Sequence, residues 1–435
     1  MGARFPLSAS QTSVWVAQQL DPGDRSFNIG EYCEIRGAVD PERFEDAVRE
    51  VVSETDALRS RFEMGSAGLN QVVEDSVEWS MRHFDVSRES DPHAAARRWM
   101  TEDLETEFDI QKGPVFSSAL FRAGPELFFW YRSVHHVAVD GFALSLITAQ
   151  VADVYTELIT GRPRQPGAPA PLEAVITDDT EYQASAAYED DRHFWLERLD
   201  GLTSVPSLVA WRPAATRESI RLSRRLTAPE VDSLRALGRR LGTTWPEVVI
   251  AAVAVYLHRA TGSRDVLLGL PVTARTKALL RRIPSMLTNS VPLRLRMDPS
   301  TPLGSVLTDV AEELESARER QRYPRERLIR ELGDFPEGRR QFGVDVNIMA
   351  FNYSFDYAGC PSLTRNLKAG PVDDLTVNVY DRLDGEGLLI EFDGNAELYS
   401  PELLREHLSR FTALIGSWSE QVADAPVGSL GDEPL

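Results

Sequence analysis

Cysteine is almost missing from this chain: only Cys33 and Cys360 occur among 435 residues. They are far apart and form no CxxC pair, which argues against a disulfide framework or a thiolate zinc site and leaves two small, inert thiols. Positive charge is scarce, with 47 Lys and Arg against 67 Asp and Glu and a net charge of −20. That balance argues against a nucleic-acid binder, whose affinity depends on cations meeting phosphate. No run of eighteen uninterrupted apolar residues is present, and Met1-Gly2-Ala3-Arg4-Phe5-Pro6 has neither the apolar stretch of a signal peptide nor the Ser or Thr needed for myristoylation. The expectation is a cytoplasmic protein with no membrane segment. GxSxG, HExxH and GxxxxGK[ST] are missing too, so serine hydrolase, zincin and P-loop readings lose their support.

What is present has the balance of a globular enzyme, 42% hydrophobic and 26% charged. The length exceeds one ordinary core and predicts two domains or one large two-lobed unit, and the alternation of strand and helix patterns reads as α/β. Gly161 to Pro171, with four prolines and two glycines, is the clearest linker, and it sets the expected boundary between residues 1–172 and 173–435. In the first half, Asp40-Pro41 predicts a helix start, and the apolar stripe from Phe44 carries that helix to about Leu58. A strand is expected around Trp79 to His83 and a helix from Pro92 to Leu104. In the second half, Trp245 to Thr261 reads as a buried helix and Pro401 to Val422 as the last one. Strands are expected at Ser219–Leu226, Val266–Pro271, Ser290–Met297, Val344–Phe351, Leu375–Tyr380 and Gly387–Asp393. Basic runs at Arg275 to Arg282 and Arg318 to Arg330 read first as solvated helix faces.

The most informative stretch is Ser133 to Gly141, SVHHVAVDG. Leu127 to Tyr131 leads into it as an aromatic, buried strand, and after Gly141 the spacing turns helical through Ile147, Val151, Val154, Tyr155 and Leu158. Two adjacent histidines and an acid therefore sit at a strand-to-helix turn. Neighbours on a strand point to opposite faces, so His135 and His136 do not share one role easily. Asp140 also reads as a helix N-cap, and either histidine as a core imidazole. His135 or His136 with Asp140 would give only two ligands, short of a metal site, and none is expected. A histidine without a partner nucleophile fits acyl transfer between two bound substrates. Positioning a thioester and an amine, worth about 7–11 kcal/mol, outweighs a typical general base.

In this setting His135-His136-Val137-Ala138-Val139-Asp140-Gly141 resembles the HHxxxDG motif of nonribosomal peptide synthetase condensation domains. Six further segments extend the resemblance over nearly the whole chain: Leu7 to Trp15, Asp56 to Phe62, Phe194-Trp195 with Leu199, Pro271 to Arg275 with Asn289 to Arg294, Gln321 to Pro324, and Phe342 to Asn347. The resemblance implies two chloramphenicol acetyltransferase-like lobes in a V-shaped pseudo-dimer with a central tunnel. Donor and acceptor carrier proteins would insert phosphopantetheine arms, with no cofactor bound directly and an adenylation domain downstream. The implied reaction is attack of the acceptor's α-amine on the donor thioester. His136 matches the catalytic position, His135 and Asp140 structural ones, Arg275 the partner of Asp140, and Gly141 a site of close arm approach. Arg59, Trp195, Asn289 and Asn347 fall in matched motifs and are candidates for lining the tunnel.

Glu54-Thr55 departs from the Arg-His that opens the family's second motif. With Gly370-Pro371-Val372-Asp373-Asp374-Leu375, this looks closer to siderophore and lipopeptide starter modules, whose donors are aryl or fatty acyl groups. The Met1 start suggests donor delivery in trans, and Val427 to Leu435 resembles the tail before an adenylation domain. Aspartates would replace the histidines in a heterocyclization domain. Epimerization domains share HHxxxDG, but Phe351-Asn352-Tyr353 echoes only a fragment of their later motifs. A freestanding coenzyme A-dependent acyltransferase and a catalytically silent recruitment domain are the remaining alternatives.

Overall fold

A computed structural model describes residues 2–66, 68–164, 170–202, 205–210, 216–333, 342–349, 354–382, 387–418 and 423–430. In chain order the elements are β1 (Ala3–Pro6), α1 (Ala9–Leu20), β2 (Asn28–Arg36), α2 (Pro41–Glu54), β3 (Ser60–Gly65), β4 (Gly68–Val73), β5 (Arg82–Asp85), α3 (Pro92–Leu104), β6 (Phe116–Gly124), β7 (Leu127–His135), α4 (Gly141–Thr160) and α5 (Glu173–Gln183). They continue with α6 (Ala186–Leu199), β8 (Ser219–Leu226), α7 (Ala228–Leu241), α8 (Trp245–Thr261), β9 (Asp265–Val272), β10 (Asn289–Arg296), α9 (Leu303–Glu319), α10 (Arg325–Leu332) and β11 (Val344–Met349). The last are β12 (Asp356–Tyr357), β13 (Cys360–Lys368), β14 (Leu375–Asp381), β15 (Leu388–Asn395) and α11 (Pro401–Ser417).

The chain forms two compact units, one of residues 1–184, 275–288 and 351–370, the other of 185–274, 289–350 and 371–435. A single cut at 172/173 therefore needs correction in two respects. α5 stays with the first unit because Leu172 and Val175 pack with Val73, Leu280, Ile283 and Leu287. Two later segments return to that unit, one of them as β13, which pairs antiparallel with β2.

The first unit holds a six-stranded sheet in the order β12-β13-β2-β7-β6-β5 and a separate three-stranded sheet β1-β4-β3. β7 lies inside the larger sheet, which is why its sequence is apolar on both faces. Phe128, Trp130 and Val134 enter the core that includes α2 and α4 residues. Phe129 and Tyr131, on the opposite face, enter the core made with α3. α2 starts on the Asp40 carboxylate, which accepts the Glu42 and Arg43 backbone N–H groups, and it ends at Glu54, before a 3₁₀ turn at Asp56–Arg59. The helix expected to reach Leu58 is thus shorter, and the strand expected at Trp79 begins only at Arg82.

α4 is long and apolar enough to cross a membrane by length and composition. Its apolar side is used in the core, where Ala143, Leu144, Ile147, Val151 and Tyr155 are buried. Gly161, at φ 68°, ends it in the left-handed conformation that glycine adopts without strain.

The second unit has its own sheet, β10-β9-β11-β14-β15-β8, with β11 parallel to both β9 and β14. α8 is buried on all sides, from Val248 to His258, at the heart of a core shared with α7, α9 and α11. Residues 350–353, including the Phe351-Asn352-Tyr353 fragment, and the end of the helix expected to reach Val422 lie outside the described residues.

Candidate functional site

β7 ends at His135, where the chain leaves the sheet and turns into α4. From Ser133 to Asp140 every side chain is buried except that of His136, which is half-buried. The two histidines are held in opposite tautomers. The Val137 N–H donates to His135 Nδ1 at 3.2 Å, so the proton of His135 lies on Nε2 and is donated to Gln18 Oε1 at 2.9 Å. Gln18 cannot present its other end, because its Nε2 donates to the carbonyls of Asp21, Pro22 and Asp24. Burial, with the neighbouring His136, pushes the His135 pKa down to about 3, which keeps the ring neutral.

His136 is fixed the other way round. Its Nδ1 lies 3.0 Å from the Val139 carbonyl oxygen, which only accepts, so Nδ1 carries the proton. Its backbone N–H donates to the Phe27 carbonyl at 2.8 Å, extending the β2–β7 pairing by one residue. Burial lowers the His136 pKa, and the Asp140 charge offsets only part of that shift. In the neutral ring Nε2 is therefore a bare acceptor. It faces Gly370, where an added Cβ would lie 3.7 Å from Nε2 and 3.4 Å from Cδ2.

Asp140 is the hinge of the turn. Its carboxylate caps α4 through the Ala143 N–H at 2.8 Å and accepts Arg275 Nη1 at 2.8 Å and Nη2 at 3.1 Å. The Leu287 and Thr288 N–H groups add bonds of 3.0 and 2.9 Å. Burial alone would raise its pKa, but the Arg275 charge and these donors hold it below the usual carboxylate range. Arg275 in turn donates to the Ser285 carbonyl at 2.8 Å and stacks 4.8 Å from the Phe142 ring centroid. It is 2% exposed, so the first arginine of the 275–282 run is not part of a solvated face. Gly141 opens α4, and among the described residues no atom lies within 4 Å of the place a Cβ would take.

The other candidates each have partners within their own unit. Arg59 donates to the Glu74 carbonyl and to Asp56 Oδ1 at 2.8 Å, fixing the turn before β3. Trp195 is 2% exposed in the core of the second unit and donates to the Arg320 carbonyl at 3.2 Å, so it packs rather than lines an opening. Asn289 donates to the Gln321 and Tyr323 carbonyls and accepts the Arg325 N–H, which engages both ends of its amide in holding the 321–325 turn. Asn347 donates to Asn378, Asn378 to Asp393, and Arg221 also binds Asp393, making a polar row across β11, β14, β15 and β8. Gln18, the 287–288 amides and Gly370 were not predicted as site residues. Gly370 enters the sequence reading only within Gly370–Leu375, as part of the resemblance to starter modules.

The condensation-domain family model matches residues 2–430. The dimodular nonribosomal peptide synthase of Bacillus subtilis is 40% identical over 95% of this chain and 17% of its own length. The isonitrile lipopeptide synthase of Streptomyces coeruleorubidus is 38% identical over 99% of this chain and 29% of its own length. The chain thus spans less than a third of either curated relative. Among solved structures, the starter condensation domain of rhizomide synthetase in complex with C8-CoA superposes with a TM-score of 0.92 and 35% identity, covering 98% of this chain and 97% of that one. With this match running from residue 2 to residue 430, the chain belongs to the condensation-domain family, the amide-forming acyltransferases of nonribosomal peptide synthetases.

Proposed function

We propose that this domain joins an acyl donor to an aminoacyl acceptor, both held as thioesters on the phosphopantetheine arms of carrier proteins, with His136 as the catalytic residue. The observation that carries this reading is the bare Nε2 of a half-buried, neutral His136, oriented by the Val139 carbonyl. The neutral amine attacks the thioester carbonyl carbon, and the C–N bond forms as the carbonyl electron pair moves to oxygen. His136 Nε2 accepts the surplus proton of the nitrogen. Re-forming the carbonyl expels the sulfur with the C–S electron pair, and the proton passes from Nε2 to that sulfur. An α-amine has a pKa of about 7.7–8.0, so a minority is already neutral at pH 7 and His136 need not deprotonate an ammonium before the attack.

Asp140 and Arg275 hold the turn, and His135 locks the strand end. The open space at Gly141 suits close approach of an arm to the first turn of α4. The donor is read as a fatty acyl or aryl group of a starter module, the fatty acyl choice resting on the lipopeptide synthase relative and the starter domain solved with C8-CoA. A longer synthetase with carrier and adenylation domains is the expected setting, and the cytoplasm, where ATP drives such activation, the expected place.

The test is incubation with an octanoyl-loaded donor carrier and a panel of aminoacyl-loaded acceptor carriers, with the acceptor weighed by mass spectrometry. A gain of one acyl group is expected. Octanoyl-CoA and a free amine reacting with comparable efficiency would instead favour a freestanding acyltransferase. Inversion of the acceptor's α-carbon would point to epimerization, and tight carrier binding without turnover to a recruitment domain.

A further inference from the structure

We infer that Gly370 is a specificity-determining position for the acceptor, keeping open the approach by which an α-amine and the carbon behind it reach His136 Nε2. The inference rests on the condensation reading and extends it to a residue outside the HHxxxDG turn. β13 pairs with β2 up to Lys368↔Gly30, and β2 pairs with β7 up to Asn28↔His135. The sheet register thus carries the chain just beyond Lys368 to the level of the two histidines. There Gly370 stands against the ring edge of His136 that bears Nε2 and Cδ2, while the Nδ1 edge is closed by the Val139 carbonyl.

Two features make the lack of a side chain consequential. An added Cβ would sit at 3.4 Å from Cδ2 and 3.7 Å from Nε2, ordinary contact distances that fill the space a reacting group needs. The backbone is also committed to glycine, with φ at 131°, a conformation that other residues rarely adopt. Hydrogen-bond chemistry decides which substrate uses this space. A thioester offers only acceptors, its carbonyl oxygen and its sulfur, whereas a bare Nε2 requires a donor. Only the amine supplies one. Its α-carbon substituent then lies near residue 370, so volume added to residue 370 competes with volume on the acceptor.

The test compares glycyl-loaded and valyl-loaded acceptor carriers, with the unaltered protein and with Gly370→Ala, under thermal-melting control. For Gly370→Ala, kcat/KM with the valyl acceptor should fall roughly tenfold or more beyond any fall with the glycyl acceptor. An equal fall with both acceptors, as backbone strain alone would give, overturns the inference, as does no change with either. A second measurement needs no variant. Diethyl pyrocarbonate acylates an accessible unprotonated imidazole nitrogen, and peptide mapping of the unaltered protein should find His136 modified well before His135. Equal protection of the two histidines overturns the inference even where Gly370→Ala fails to fold. No amide from the unaltered protein with either acceptor would overturn the condensation reading itself, and the inference with it.

Discussion

Arg275 and Asp140 meet through two hydrogen bonds of 2.8 and 3.1 Å across 135 residues of chain, both side chains sealed from solvent. The pair ties the segment 275–288 to the turn that aims His136. Removing one partner strands the other in a low-dielectric site. Asp140→Asn should therefore destabilise the protein by about 3–5 kcal/mol, read by denaturant unfolding. Asp140→Asn with Arg275→Met should lose less than the sum of the single changes. Additive losses would show that the two do not interact.

The two histidines should separate in their effects. His136→Ala is expected to leave the melting temperature nearly unchanged and to slow condensation by roughly 10²–10⁴-fold. His135→Ala removes bonds to Gln18 and the Val137 N–H, so it should lower stability along with activity. A His135→Ala protein as stable as the parent would contradict its role in the strand end.

Acid should expose His135 in a second way. With its folded pKa at about 3 and an unfolded value of about 6.5, the unfolded chain binds an extra proton between those limits. The folded state is therefore favoured fully above about pH 6.5 and loses that stabilisation progressively toward pH 3, by about 1.4 kcal/mol per unit from this group. His135→Gln should flatten the pH dependence of unfolding by that amount. Parallel curves for parent and variant would rule out the buried neutral imidazole.

Two titrations should shape the rate. Below the acceptor amine's pKa of about 7.7–8.0, the logarithm of the single-turnover rate should fall with slope one. Because burial holds the His136 pKa under its ordinary value, a second limb should enter only below about pH 6.5 and steepen the slope to two. His136→Ala should keep slope one throughout. A second limb that persists in the variant would assign it to another group.

Trp195, placed in a matched motif, tests the difference between motif membership and function. Its burial predicts that Trp195→Ala costs about 3–5 kcal/mol of stability. Donor and acceptor preference should be unaffected in the protein that remains folded. A changed preference would return Trp195 to the substrate path.

The strand-to-helix turn was legible because local pattern dictates it: an aromatic strand, an acid at the N-cap and helical spacing after Gly141. The helices Pro92–Leu104 and Trp245–Thr261 were legible for the same reason. Contacts set by distant sequence were not. Gln18 selects the tautomer of His135 from α1, and no periodicity connects a surface-facing helix to a histidine over a hundred residues away. The return of 351–370 to the first unit depends on β13 pairing beside β2, a partnership invisible in β13's own residues. Arg59, Asn289 and Asn347 became tunnel candidates by motif membership alone. The structure shows why such polar residues suit their places: each satisfies backbone or neighbouring side-chain groups where it stands.

The role proposed for an oriented, neutral His136 is to direct amide formation. Its most direct test is a single-turnover rate with both carriers preloaded, comparing the unaltered protein with His136→Ala of equal melting temperature. A fall of at least roughly 10²-fold in acyl transfer to the acceptor is predicted. Equal rates for the two proteins would leave His136 without that role.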